Sequence, residues 1–438
     1  MDLIVLPSKL KNSEASVPGD KSISHRALIF SAIADGTSSY AGFLLGSDCL
    51  ATLKAFSMMG INIEQNDTNL TIHGVGLMGL KKPLAPIDLG NSGTAVRLLA
   101  GLLSSQIFDS ELIGDSSLSI RPMQRIIQPL TRMGAEIQSA SGFLPLKIIG
   151  NKNITSISYE MPIASAQVKS SILLASLYAN TESTITEPSV TRDHTERMLS
   201  AMNCSITCSN NVIKISQPAK LQPLNMRIPG DFSSAAFLIA AFLITKKSSI
   251  TLRDVGVNPT RIGFLKIIKN MGAQVELKNI RLYGNEPVAD IYVQSSTLKG
   301  ITLDDPDLIS LSIDEFPILF ILAAYAEGTT KINGINELRH KESDRVKSMC
   351  IGMRNLGVSV KEEKDGVVIT SSKFMGGEID SFGDHRVAMS FVVAAIGAKD
   401  KIKIKDVKNI DTSFPGFVDL MRNLGLSLSI NEPSMKNY

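Results

Sequence analysis

Cations, small hydroxyls and carboxylates gather at a few short stretches of this sequence. Lys21, Ser22 and Arg26 follow Asp20 in PGDKSISHR, and Asn91, Gly93 and Thr94 lie in GNSGT with Arg97 one turn further on. Arg121 stands in SIRPM, Ser165, Ala166 and Gln167 in SAQ, and Arg192 in VTRDH. Asp314 sits in the otherwise apolar LSIDEFPILF, Lys341, Glu342 and Arg345 in HKESDR, and Asp384, His385 and Arg386 in GDHR. An arginine fork grips carboxylate or phosphate at two points, and lysine acts as a point charge. Such cations suit a small substrate carrying those groups, and carboxylates among them suit proton transfer.

Taken singly, each stretch has a plainer reading. A carboxylate that opens a buried helix, as Asp314 would, also serves as an N-cap. KESDR also reads as an exposed, salt-bridged helix start, and His25 and His385 as surface or satisfied core histidines. GNSGT resembles part of a phosphate loop but lacks the lysine of G-x-x-x-x-G-K-[ST], so no nucleotide site follows. Shared placement raises them above these readings, because Lys21 and Ser22, Asn91 to Thr94, Ser165 to Gln167, Asp314, and Asp384 to Arg386 stand at the openings of Ala-rich helices. A helix N-terminus already carries about half a positive charge and free N–H groups. Lys21 and Arg26 add like charge there, so the expectation is a bound anion that offsets the repulsion.

The elements that position these residues repeat. A helix ending in Met/Leu-Gly and running into an alternating strand recurs six times, with stops at Gly60, Gly134, Asn203, Gly272, Gly357 and Gly425. Asn is the other residue that tolerates the left-handed conformation beyond a helix end. Each unit adds an Ala-rich helix and short β-rich runs such as STITEPS and SSITLRDV, giving a strand–helix–strand–helix–strand–strand order. The fold class is therefore α/β. Six units divide as three and three, with a break around residues 225–234, and two similar domains facing one another across a cleft is the simplest arrangement.

The totals bound the rest. The chain has 438 residues, 44% hydrophobic and 20% charged, with a net charge of +3 and no Trp. This near balance and the lack of stacking aromatics disfavour nucleic acid and anionic membrane as partners. The most apolar runs, AAFLIAAFLI and FPILFILAAYA, are each about ten residues, short of the roughly 20 that span a bilayer. The N-terminal apolar run is too short for a signal peptide. Cys49, Cys204, Cys208 and Cys350 form no zinc or disulfide framework, which fits a reducing cytoplasm and no metal. No cofactor is implied, and the partners are small anionic molecules.

The segments PGDKSISHRALI, LGNSGTAVRLL, GDSSLSIRPM, SAQVKSSILLA, EPSVTRDHTERML, KESDRV, GDHRVAMSF and TSFPGFVDLM span residues 18 to 421. In that order they resemble the 5-enolpyruvylshikimate-3-phosphate synthases of the enolpyruvyl transferase family. The resemblance implies a two-domain inverse α/β barrel, each domain holding three β-α-β-α-β-β repeats, and a monomer. The domains would be residues 16–228 (shikimate 3-phosphate side) and residues 1–15 with 229–438 (phosphoenolpyruvate and acid/base side). The implied reaction moves the carboxyvinyl group of phosphoenolpyruvate to the 5-hydroxyl of shikimate 3-phosphate. Lys21, Ser22, Arg26, Ser165, Ala166, Gln167, Arg192, Asp314 and Lys341 would hold shikimate 3-phosphate. Lys21, Gly93, Arg121, Gln167, Arg345 and Arg386 would hold phosphoenolpyruvate. Asp314 would act as base, and Glu342 with Lys21 would manage protonation at the methylene carbon.

Two positions depart from the family's common pattern: Ala166 where many members have Ser, and Thr412 where many have Lys. Both resemble a bacterial subgroup that tolerates glyphosate, whereas Gly93 keeps the small residue that goes with sensitivity. The sister enzymes acting on UDP-N-acetylglucosamine typically carry a reactive Cys before an RP motif. GDSSLSIRPM has none, which argues against that assignment.

Overall fold

The computed structural model describes residues 1–151 and 153–431. The chain divides into two compact units, each with its own hydrophobic core. The first unit is Gly19–Pro229 with Leu282–Pro287, and the second is Met1–Pro18, Gly230–Arg281 and the chain from Val288 onward. Leu282–Pro287 is the tip of the hairpin formed by Gln274–Tyr283 and Glu286–Gln294, and no sequence signal had singled it out.

In the first unit, the longer helices are α1 (Lys21–Ala32), α2 (Ser47–Met58), α3 (Gly93–Leu103), α4 (Gln124–Arg132), α5 (Ala166–Ser176) and α6 (His194–Ala201). In the second they are α7 (Phe232–Ile244), α8 (Gly263–Asn270), α9 (Phe316–Tyr325), α10 (Arg345–Asn355), α11 (His385–Ala394) and α12 (Phe417–Asn423). The odd-numbered helices are the Ala-rich ones and are buried almost all round; α7 is buried from Phe232 to Leu243. Small residues let them approach closely. A Cβ on Gly101 of α3 would lie 2.1 Å from the Ser171 carbonyl oxygen of α5, which no side chain tolerates.

The even-numbered helices carry the repeating stops, and all six stop residues have positive φ: 87°, 97°, 63°, 95°, 81° and 107° in chain order. After α2, the Gly60 N–H donates to the Ser57 carbonyl at 3.1 Å and the Ile61 N–H to the Phe56 carbonyl at 3.1 Å. The same bond pair follows every other even-numbered helix, satisfying carbonyls that the helix end leaves unpaired. Asn203 fits because its φ of 63° is one that Asn adopts more readily than most residues.

Among the described residues, each stop leads into one of six four-stranded sheets, and each sheet contains one parallel pairing. Side chains alternate; in Phe143–Ile149, Leu144, Leu146 and Ile148 are buried while their neighbours face out. No sheet closes on itself among the described residues. Strand Met226–Arg227 pairs with Thr37–Ala41, so the end of the first unit completes its first sheet. Strand Asp2–Val5 likewise lies between Ile402–Lys405 and Leu428–Asn431 and completes the last sheet of the second unit. Among the described residues, no helix is long and apolar enough to cross a membrane.

Candidate active site

The candidate residues divide between the units. In the first unit, Asp20 caps α1, its Oδ1 accepting from the Ile23 N–H at 2.8 Å. Lys21 opens the helix, and its ammonium pairs with the carboxylate of Asp48 in the first turn of α2. Asp48 thus offsets a cation at a helix N-terminus, which corrects the expectation that only a bound anion could do so.

Arg26 lies one turn further on and is 3% exposed. Its Nε donates to Thr195 Oγ1 at 2.8 Å, Nη2 to Ser170 Oγ at 2.8 Å and Nη1 to the Ser22 carbonyl at 2.9 Å. All three partners are neutral oxygens. Burial draws the Arg26 pKa down to about 10, Glu196 and Asp20 oppose that shift, and Arg192 adds to it. A charged, buried guanidinium with neutral partners marks a place where an anion is favoured. His25 follows the plainer reading only in part: it is a core histidine, but among the described residues its Nε2 has no hydrogen-bond partner. It is buried, its Nδ1 lies 2.8 Å from Thr52 Oγ1, and burial lowers its pKa to about 3.

The openings of α3 and α5 are tied together. Gln167 accepts from Arg97 Nη1 through Oε1 at 2.6 Å and donates from Nε2 to Thr94 Oγ1 at 2.9 Å. Ser165 caps α5, accepting from the Val168 N–H at 3.4 Å, and Ala166 is its first residue. Arg121 reaches back to α3, its Nη2 donating to Asn91 Oδ1 at 2.5 Å, and Asn91 donates to Asp115 Oδ2 at 2.8 Å. A Cβ on Gly93 would lie 2.9 Å from Arg97 Nη1 and 3.3 Å from Arg121 Nη1. The bare backbone of Gly93 is what lets two guanidinium groups approach it.

In the second unit a single side chain gathers the acids. Arg345 opens α10 with its side chain 2% exposed. Its Nε donates to Asp384 Oδ2 at 2.8 Å, Nη2 to Glu342 Oε2 at 2.5 Å and Nη1 to Asp314 Oδ1 at 3.4 Å. Burial acts to lower the Arg345 pKa, but the three carboxylates outweigh it and hold the group protonated well above its ordinary range. Asp384 also caps α11, accepting from the Arg386 N–H at 2.9 Å, and accepts from Ser343 Oγ at 3.1 Å. Arg386 Nη1 donates to the Asp314 carbonyl at 3.2 Å, and its Nη2 lies 3.9 Å from Asp314 Oδ2.

Two plainer readings therefore fail here. The N-cap position of α9 is Glu315, not Asp314, whose carboxylate faces Arg345 and Arg386. KESDR is not an exposed helix start, because Asp344 caps α10 by accepting from the Lys347 N–H at 3.0 Å while Arg345 is buried. Lys341 keeps 24% side-chain exposure and lies 3.9 Å from Glu337. Desolvation lowers its pKa, only partly opposed by Asp314 and Glu337.

Sequence reasoning missed Asp48, Ser170 and Thr195. Thr195 stands three residues past Arg192 and Ser170 one turn past Ala166. Helical spacing from Ala166 was the available signal for Ser170, and Asp48 had no local signal. Chemically, the first unit offers clustered cations at helix openings. The second offers two partly exposed carboxylates, Asp314 and Glu342, on one buried guanidinium, which suits proton transfer beside an anion.

Comparison with known proteins bears on this chemistry. A sequence model for EPSP synthase (3-phosphoshikimate 1-carboxyvinyltransferase) matches residues 7–421. A 3-phosphoshikimate 1-carboxyvinyltransferase of Legionella pneumophila (strain Corby) is 50% identical over 419 residues, 95% of this chain and 96% of the relative. One from Coxiella burnetii is 47% identical over 430 residues, 98% of each chain. The solved EPSP synthase of Acinetobacter baumannii superposes with a TM-score of 0.90 at 46% identity, covering 98% of this chain and 100% of the other.

Proposed function

The chain belongs to the EPSP synthase family, and from that premise we propose how its residues divide the work. The chain transfers the enolpyruvyl group of phosphoenolpyruvate to shikimate 3-phosphate in aromatic amino acid biosynthesis. The observation that carries the assignment of roles is the pair of carboxylates, Asp314 and Glu342, on the Arg345 guanidinium.

Arg26, Arg192 and Lys341, with Ser22, Ser165, Ala166 and Gln167, bind shikimate 3-phosphate. Gly93, Arg121, Arg345 and Arg386 bind phosphoenolpyruvate, Gln167 serves both substrates, and Lys21 contacts both. Asp314 accepts the proton of the 5-hydroxyl as its oxygen bonds to C2 of phosphoenolpyruvate, and Glu342 with Lys21 delivers a proton to the methylene carbon. The tetrahedral adduct then loses a proton from that carbon and expels phosphate, restoring the double bond. Fixed cations stabilise charge that develops at the carboxylate and phosphate.

The three sheets of each unit serve as the sides of an inverse α/β barrel with the odd-numbered helices inside. Support comes from the recurring strand order and from the near-complete burial of those helices. The four cysteines are free, in keeping with a cytoplasmic setting.

The direct test is phosphate release from phosphoenolpyruvate by the purified protein. Release that requires shikimate 3-phosphate supports the reading, and release driven instead by UDP-N-acetylglucosamine would move the chain to the sister activity.

A further inference from the structure

Lys169 has no role in the assignment above, yet it occupies the centre of a buried polar cluster near Arg26. It lies in the first turn of α5 with its side chain 1% exposed. Its Nζ donates to Glu187 Oε2 at 3.0 Å and to the Thr191 carbonyl at 3.4 Å, and it pairs with Glu196 Oε1 at 2.6 Å. The Thr191 hydroxyl in turn donates to Glu187 Oε1. These three partners sit at the start, middle and end of one segment. Glu187 follows the strand Ser183–Thr186, Thr191 directly precedes Arg192, and Glu196 stands in the first turn of α6.

One ammonium therefore pins the whole excursion that carries Arg192 and Thr195. The next residue of α5 extends the clamp: Ser170 Oγ lies 2.7 Å from Thr195 Oγ1 and accepts from Arg26 Nη2 at 2.8 Å. Burial opposes the charge on Lys169, but Glu196 and Glu187 outweigh it and raise its pKa. Burial raises the Glu196 pKa against the pull of Lys169, and among the described residues Glu196 Oε2 is buried without a hydrogen-bond partner. Arg26 feels the Glu196 carboxylate, which is the largest influence opposing the downward pull of burial on its pKa.

A buried ion cluster is weak evidence for stability, because well-packed apolar residues often do as well or better. Its distinctive property is that its geometry is fixed. We propose that Lys169 is a positioning residue for the phosphate-bearing acceptor. It holds the Glu187–Glu196 segment on α5 so that Arg192 and Arg26 present donors in one arrangement, with Thr195 and Ser170 fixing the Arg26 guanidinium. This inference rests on the functional reading above.

The test compares wild type with Lys169→Met and with the triple variant Lys169→Met/Glu187→Gln/Glu196→Gln, which removes the clamp without orphaning a buried charge. Wild-type turnover of shikimate 3-phosphate with phosphoenolpyruvate is established first; its absence would remove both the functional reading and this inference. In the folded triple variant, KM for shikimate 3-phosphate rises about tenfold or more while KM for phosphoenolpyruvate stays within about twofold. An unchanged acceptor KM, or an equal rise in both, overturns the inference and leaves the functional reading standing. A triple variant that does not fold assigns the cluster to stability and overturns it as well.

Discussion

Arg345 Nε and Asp384 Oδ2 lie 2.8 Å apart, with side chains 2% and 0% exposed, and each also contacts other residues of the candidate site. Burial alone would raise the Asp384 pKa, but Arg345 outweighs it and the net shift is downward. A carboxyl with a depressed folded pKa stabilises the fold above its unfolded value of about 3.9 and loses that contribution as pH falls through the folded value. Asp384→Asn should therefore be less stable than wild type at neutral pH, with the gap narrowing below about pH 4. Melting temperatures across pH 2 to 8 check this, and a gap that widens in acid would contradict it.

Removing the cation instead leaves Asp384, Glu342 and Asp314 without their shared partner. Arg345→Met is expected to lose about 3–5 kcal/mol of stability, the range for a buried pair broken on one side. Urea unfolding measures it, and a loss below about 1 kcal/mol would mean that the carboxylates find other partners.

Lys341 carries a pKa drawn down by desolvation. A lysine assigned to a phosphate loses its grip once deprotonated. The alkaline limb of kcat/KM for shikimate 3-phosphate should then fall below the ordinary lysine value of about 10.4. Lys341→Arg should move that limb upward. An alkaline limb unmoved by the substitution would remove Lys341 from the binding set.

Gly93 lies under Arg97 and Arg121, so the methyl of Gly93→Ala would press on both guanidinium groups. KM for phosphoenolpyruvate is expected to rise about tenfold, equivalent to about 1.4 kcal/mol, with a smaller effect on kcat. Steady-state kinetics with each substrate varied in turn distinguishes this from a general loss of activity.

Much of this was legible in the sequence, where punctuation marked backbone geometry. The six stops were readable because only Gly and Asn sit easily at positive φ, and Asn203 stood in register with the glycines. The helix openings were readable because Asp20, Ser165 and Asp384 are N-cap types. Long-range pairing was not. Nothing local connects Lys21 to Asp48, or Arg26 to Thr195, which are 169 positions apart in the chain. KESDR misled for the same reason: its charges satisfy local salt-bridge patterns, while the actual partners of Arg345 include Asp314 and Asp384 from two other helix openings.

The role of Asp314 carries the account, and Asp314→Asn tests it most directly. The substitution keeps the size of the side chain and removes the proton acceptor. Turnover should fall by about 100- to 10,000-fold, the usual contribution of a general base, while calorimetric affinity for shikimate 3-phosphate stays within about threefold of wild type. Undiminished kcat in this variant, or a loss of activity wholly explained by lost binding, would contradict the assignment.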